Sequence, residues 1–162
     1  MDHIDRIIEQ WARERPDLDT APMALIGRIK RISSYLAHGM GETFAKHALN
    51  AASFDVLATL RRSGAPYALS PGDLMASTMV TSGTMTNRID QLVKSDLVAR
   101  IRNPEDGRSF LISLTDQGFE LIERVVTEHV NTQKQLVAGL TKEQRQSLDL
   151  ALRNFLAALE PD

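Results

Sequence analysis

Residues 79–118 read MVTSGTMTNRIDQLVKSDLVARIRNPEDGRSFLISLTDQG. A helix is expected over about 82 to 95. It opens with Thr81, Ser82, Gly83, Thr84, Thr86, Asn87 and Arg88, which are poor helix formers apart from Arg88, so something other than local propensity selects them. Two strands follow, LVARI and SFLISLT. In the second, Phe110, Ile112 and Leu114 alternate with Ser109, Leu111 and Ser113, the period of a half-buried strand. NPEDG between them is strong turn chemistry: proline presets φ, glycine accepts positive φ, and Asn and Asp bond their own backbone. The tip of this hairpin, RIRNPEDGRSF at 100–110, carries three arginines and two carboxylates.

Immediately upstream, SPGDLMAST supplies Ser70 as helix N-cap, Pro71 at the first helical position and Asp73 near the positive end of the dipole. Two short helices joined by a tight turn and followed by a hairpin make a winged helix-turn-helix, whose second helix enters the major groove of DNA. The polar head of that helix then has a purpose. Ser82, Thr84, Thr86 and Asn87 can bond phosphates or base edges, Arg88 adds charge, and the helix dipole favours phosphate at that end. The hairpin is expected to reach the neighbouring minor groove with Arg108, with Asp106 pairing with the Arg108 guanidinium and Ser109 beside them. Taken singly, each of these features is also what an ordinary solvated surface looks like; their order and spacing in one continuous block favour duplex DNA as the partner.

Further outward the chain is helical. Ile4, Ile7, Ile8 and Trp11 define an amphipathic helix over 3–14, ended by Pro16. After the linker RPDLDTAP, Leu25, Ile29, Ile32, Leu36 and Met40 recur at helical steps as far as Phe44, with a bend expected at Gly39 and Gly41. AASFDVLATLRRSG (51–64) is a third helix, APYAL a short extended link, and helices over about 116 to 138 and 142 to 159 finish the chain, the last with a Thr141/Gln144 capping box. The fold class is mainly α with a small β-hairpin. It divides into N-terminal helices for dimerisation or ligand binding (1–50), the winged helix-turn-helix (51–115) and C-terminal dimerisation helices (116–162).

The 162 residues, 43% hydrophobic and 25% charged, suit one such subunit. A net charge of −2 gives no global attraction to phosphate, so DNA binding must rest on a local patch. The absence of cysteine excludes disulfides, thiolate metal ligands and a cysteine redox switch. No Gly-x-Ser-x-Gly or P-loop ending is found, and GMGETF is neither, so no enzyme and no cofactor are expected. His3, His38, His47 and His129 lack the close spacing of a metal site. The acidic, amphipathic N-terminus and the lack of any apolar run of roughly 18 residues predict a cytoplasmic protein off the membrane.

The 79–118 block resembles the MarR family of bacterial transcription regulators over nearly the whole chain, with Asp106, Gly107, Arg108 and Ser109 as its Asp-x-Arg-Ser wing signature and LTDQG leading into the next helix. That likeness implies an obligate homodimer on a pseudo-palindromic operator. The first long helix and the two C-terminal helices agree with it, since they carry more apolar stripe than one small winged-helix core can cover. One departure is Asp96, where the family commonly has glycine; aspartate tolerates left-handed geometry.

The N-terminal helix, its linker and FDVLATLRRSG are similar to a narrower branch, the urate-responsive and PecS-like regulators. That likeness implies a ligand held by Trp11, Asp55, Arg62 and Arg100. An indole can stack on a planar ring and guanidinium groups can clamp an anion. Asp55 and Arg62, seven residues apart on one helix, share a face. The same residues also admit a plainer reading, a closed apolar face around Trp11 and an Asp55–arginine pair that fixes the wing. The expected function is a repressor relieved by a small anionic effector, urate or another aromatic or carboxylate acid. The alternatives are a ligand-independent or metal-responsive regulator of the same type and a helical interaction module without DNA.

Overall fold

The computed structural model of the protein describes residues 1–78 and 82–160, the backbone alone at 82–84. The described residues form two compact units, Met1–Gly39 and Met40–Asp162. Helix α2 (Ala21–Ala45) runs unbroken through Gly39 and Gly41 and contributes to both.

In the N-terminal unit, α1 (His3–Glu14) starts in a capping box. Asp2 Oδ1 accepts the amides of Ile4 and Asp5 at 2.6 and 2.9 Å, and the Asp5 carboxylate accepts the Asp2 amide at 2.6 Å. Arg28 of α2 donates Nε to Asp2 Oδ2 at 2.8 Å and also reaches Asp5. The Asp5 amide first, and Arg28 next, hold the Asp2 carboxyl down to about 2. Beneath this clasp Ile4 is buried over Gly27, where an added Cβ would lie 3.2 Å from Ile4 Cδ1. The glycine lets the two helices approach.

The second unit is built on α3 (Ala51–Arg62), α4 (Pro71–Ser77), α5 (Ser82–Lys94) and α6 (Asp116–Leu136), followed by α7 (Lys142–Leu159). As expected from the sequence, Ser70 caps α4 with Pro71 behind it, and Thr141 and Gln144 close a capping box on α7. Val56, Leu57 and Leu60 of α3, Leu74 of α4, Met85, Ile89 and Leu92 of α5, and Ile122 and Val125 of α6 converge on one core that also takes in Phe44 and Ile112.

The sheet has three strands where sequence reading expects two. β2 (Val98–Arg102) and β3 (Phe110–Leu114) form the hairpin, and β1 (Ala68–Leu69) adds on the other edge of β3 to give the order β1-β3-β2, all antiparallel. β1 is two residues long, too short to show any hydrophobic period, and it follows a turn with Gly64 at φ 82 and Tyr67 at φ 58. In β2 and β3, Val98 and Ile112 lie on the core end of one face while Arg100, Arg102 and Phe110 project beyond it.

The junction between α5 and the hairpin is held tightly. Asp96 takes φ 55, the left-handed geometry for which glycine is the usual choice. Its carbonyl accepts the Thr115 hydroxyl at 2.6 Å, and the Thr115 amide donates to the Leu97 carbonyl at 3.2 Å. Gly118 in the first turn of α6 faces the same carbonyl: an added Cβ would sit 1.9 Å from Leu97 O, so only glycine fits. The LTDQG motif therefore records the docking of α6 against the end of the α5–wing turn.

Candidate functional site

Helix α5 separates a core face from an outer one. Met85, Ile89 and Leu92, at helical spacing, are buried, and Thr86 and Asn87 are exposed on the opposite side. Arg88 is half-buried and donates Nη1 to Gln91 Oε1 at 2.7 Å, one turn further on. Among the residues expected to meet DNA, the side chains of Ser82 and Thr84 lie outside the described residues, as does Thr81 before them.

The wing is organised by its own polar residues. Asn103 Oδ1 accepts the Glu105 amide at 3.0 Å and Asn103 Nδ2 donates to Ser109 Oγ at 3.1 Å. The Asn103 amide donates to the Ser109 carbonyl and the Ser109 amide to the Asp106 carbonyl, at 3.1 and 3.0 Å. Asp106 departs from the expectation that it orients the Arg108 guanidinium: its carboxylate accepts the Arg108 backbone amide at 3.1 Å, and among the described residues no ion pair occupies that guanidinium. A carboxylate two residues away in a tight turn reaches the amide more readily than the end of a long side chain. Asn103 is a site residue that the sequence reading left out, although an asparagine directly before proline in a turn is the signal that finds it.

Of the three expected ligand residues in the second unit, Asp55, Arg62 and Arg100, the first two come together. Asp55 and Arg62 on α3 approach to 3.9 Å, the carboxylate side chain 20% exposed and the guanidinium 56%. Arg62 Nη2 also donates to the Ser77 carbonyl at the end of α4. Arg100 on β2 is engaged elsewhere: its Nη2 meets Asp90 Oδ1 of α5 at 2.5 Å, and its guanidinium lies 5.9 Å from the Phe110 ring centroid. Asp90 was not singled out from the sequence, where a lone aspartate on a helix carries no signal. Trp11 belongs to the N-terminal unit and is 41% exposed. An open cleft in that unit is lined by Met1, Asp5, Ile8, Glu9 and Ala24 and does not include Trp11.

Helix α7 contributes nothing to the buried core among the described residues. None of its described residues is buried, and Leu148, Leu152, Phe155, Leu156 and Leu159 form an exposed apolar stripe at helical spacing. Among the described residues no group of three or more His, Asp or Glu could hold a metal ion, and no helix is long and apolar enough to cross a membrane.

Residues 49–110 match the MarR family model. The chain is similar to the HTH-type transcriptional regulator PecS of Dickeya dadantii (strain 3937), at 41% identity over 90% of this chain and 87% of that protein. Among solved structures it resembles BpsR of Bordetella bronchiseptica, described in terms of regulation of its DNA binding by 6-hydroxynicotinic acid, at 27% identity and a TM-score of 0.70 over 80% of this chain and 90% of that one. It also resembles a mutant MarR from E. coli complexed with operator DNA, at 26% identity and a TM-score of 0.72 over 85% and 97% of the two chains.

Proposed function

Because this chain belongs to the MarR family and is a DNA-binding transcriptional regulator, we propose that it works as a cytoplasmic homodimeric repressor of a pseudo-palindromic operator, relieved by a small anionic effector. The observation that carries the DNA reading is the wing. Its backbone is fixed by Asn103, Asp106 and Ser109, while the Arg108 guanidinium is left for a phosphate or the minor groove. With Thr86 and Asn87 exposed on α5, each chain then offers a groove-reading helix with Ser82, Thr84 and Arg88 at its head, and an adjacent charged probe. The unburied stripe of α7 supports the dimer, which sets two such units one DNA turn apart.

The effector reading rests on chemistry. Asp55 beside Arg62, with Arg100 on the wing strand, is a set that favours a planar anion over a neutral ligand: guanidinium groups grip a carboxylate or enolate, and the anion competes with Asp55 for Arg62. Trp11, which the likeness to the PecS-like branch assigns to the ligand, carries an indole able to stack on a planar ring. Urate and aromatic acids such as 6-hydroxynicotinic acid, the effector named for BpsR, belong to this class. A gel-shift titration of the protein on the DNA upstream of its own gene, with and without these anions, tests both parts. Salt-sensitive binding released by one of them is expected. Tight binding untouched by any of them removes the effector, and no binding removes the regulator.

A further inference from the structure

The Asp90–Arg100 ion pair joins the recognition helix to the first strand of the wing, and it deepens the function proposed above, on which its effector arm rests. Both side chains are about half exposed, 47% and 38%, so burial does not force the pairing. Asp90 lies one turn after Thr86 on the outer side of α5, the side that carries the exposed Thr86 and Asn87 proposed to meet the duplex. A bare carboxylate there would repel phosphate. Arg100 neutralises it, and Phe110 flanks the guanidinium from the neighbouring strand. The core contacts of α5 through Met85, Ile89 and Leu92 fix its depth, while this pair ties its outer face to the wing.

We propose that Asp90 is the positioning carboxylate of the recognition helix: it acts as an internal counter-ion that holds Arg100, and an anionic effector that takes the Arg100 guanidinium must first displace it, loosening α5 from the wing. The coupling has a definite form. A ligand shifts DNA affinity only as far as it distinguishes the two states, and here the difference between them is a broken Asp90–Arg100 pair. Removing Asp90 therefore frees Arg100 for the anion and, in the same step, removes the link through which the anion acts on α5. An anion should bind such a variant more tightly and move its DNA affinity less. No purely structural role of Asp90 produces that combination.

The test is a double-mutant cycle on the protein's own upstream duplex by fluorescence anisotropy, using the wild type, Asp90→Asn, Arg100→Gln and the double variant, each first matched to the wild type by its melting curve. The expected result without ligand is a loss of roughly threefold in affinity for each single variant, the scale of a half-exposed pair, with the double variant no weaker than either. With urate and with 6-hydroxynicotinic acid as probes, Asp90→Asn should bind the active probe more tightly than the wild type by calorimetry and release DNA less. Additive effects, or an Asp90→Asn variant that binds DNA more tightly because a repulsive charge is gone, overturn the proposal. A coupled cycle in a wild type indifferent to both probes supports the positioning role and overturns the effector site instead.

Discussion

The wing and α7 both lie outside the buried core, yet they differ in where their partners are. At the wing, Asn103, Asp106 and Ser109 satisfy one another within seven residues, so the tip is complete before anything touches it. Helix α7 is equally well capped by Thr141 and Gln144, but none of its described residues is buried and its apolar stripe stays exposed. A finished loop presents charge for use; an exposed apolar helix face is the surface the proposed homodimer would bury. On that proposal the DNA chemistry lies within each chain and the assembly in a contact between chains.

The largest effect should come from the unfinished region. Replacing Leu152 and Phe155 by aspartate places charge on the exposed stripe of α7, and the molar mass by light scattering should fall to the 18.0 kDa of one chain. Operator affinity should drop by about 10² or more as the two half-sites cease to be bound together. A variant that stays dimeric would break the contrast.

Next comes the junction that serves the wing. Gly118→Ala drives a methyl into the Leu97 carbonyl and should cost on the order of 3 kcal/mol in urea unfolding, with DNA binding lost in step. Arg108→Ala should leave stability unchanged and weaken binding about tenfold across unrelated duplexes, with a salt slope lower by about 1 for each wing. An equal loss in Asp106→Ala through a disordered tip would sharpen the view that Asp106 acts on the backbone. Asp55→Asn should spare DNA binding and blunt the response to the anion.

The smallest effect concerns His129, whose ring packs against Phe44 and Phe54 with Nδ1 buried and without a hydrogen-bond partner among the described residues, so that burial lowers its pKa from 6.5. A depressed folded-state value means that the neutral ring's contribution is complete above pH 6.5 and is lost as pH falls through the lowered value. His129→Phe should remove that part of the acid sensitivity from the melting curve.

Much of this was legible in the sequence where the signal is local. Caps at Ser70 and Thr141, the left-handed Asp96 and the hairpin turn all depend on neighbours a few residues away, and the structure places each as read. Strand β1 was missed because two residues have no period and its pairing is with a distant strand. Asp90 was missed because its importance comes from Arg100 across a tertiary contact, and Asp106 was given the wrong atom of Arg108 because sequence spacing does not distinguish an amide from the end of its side chain.

If two chains of this regulator read one duplex, a stoichiometric titration of the upstream DNA at concentrations well above the dissociation constant saturates at two chains per operator, with affinity falling steeply as salt is added. Saturation at one chain, or binding indifferent to salt, rules that arrangement out.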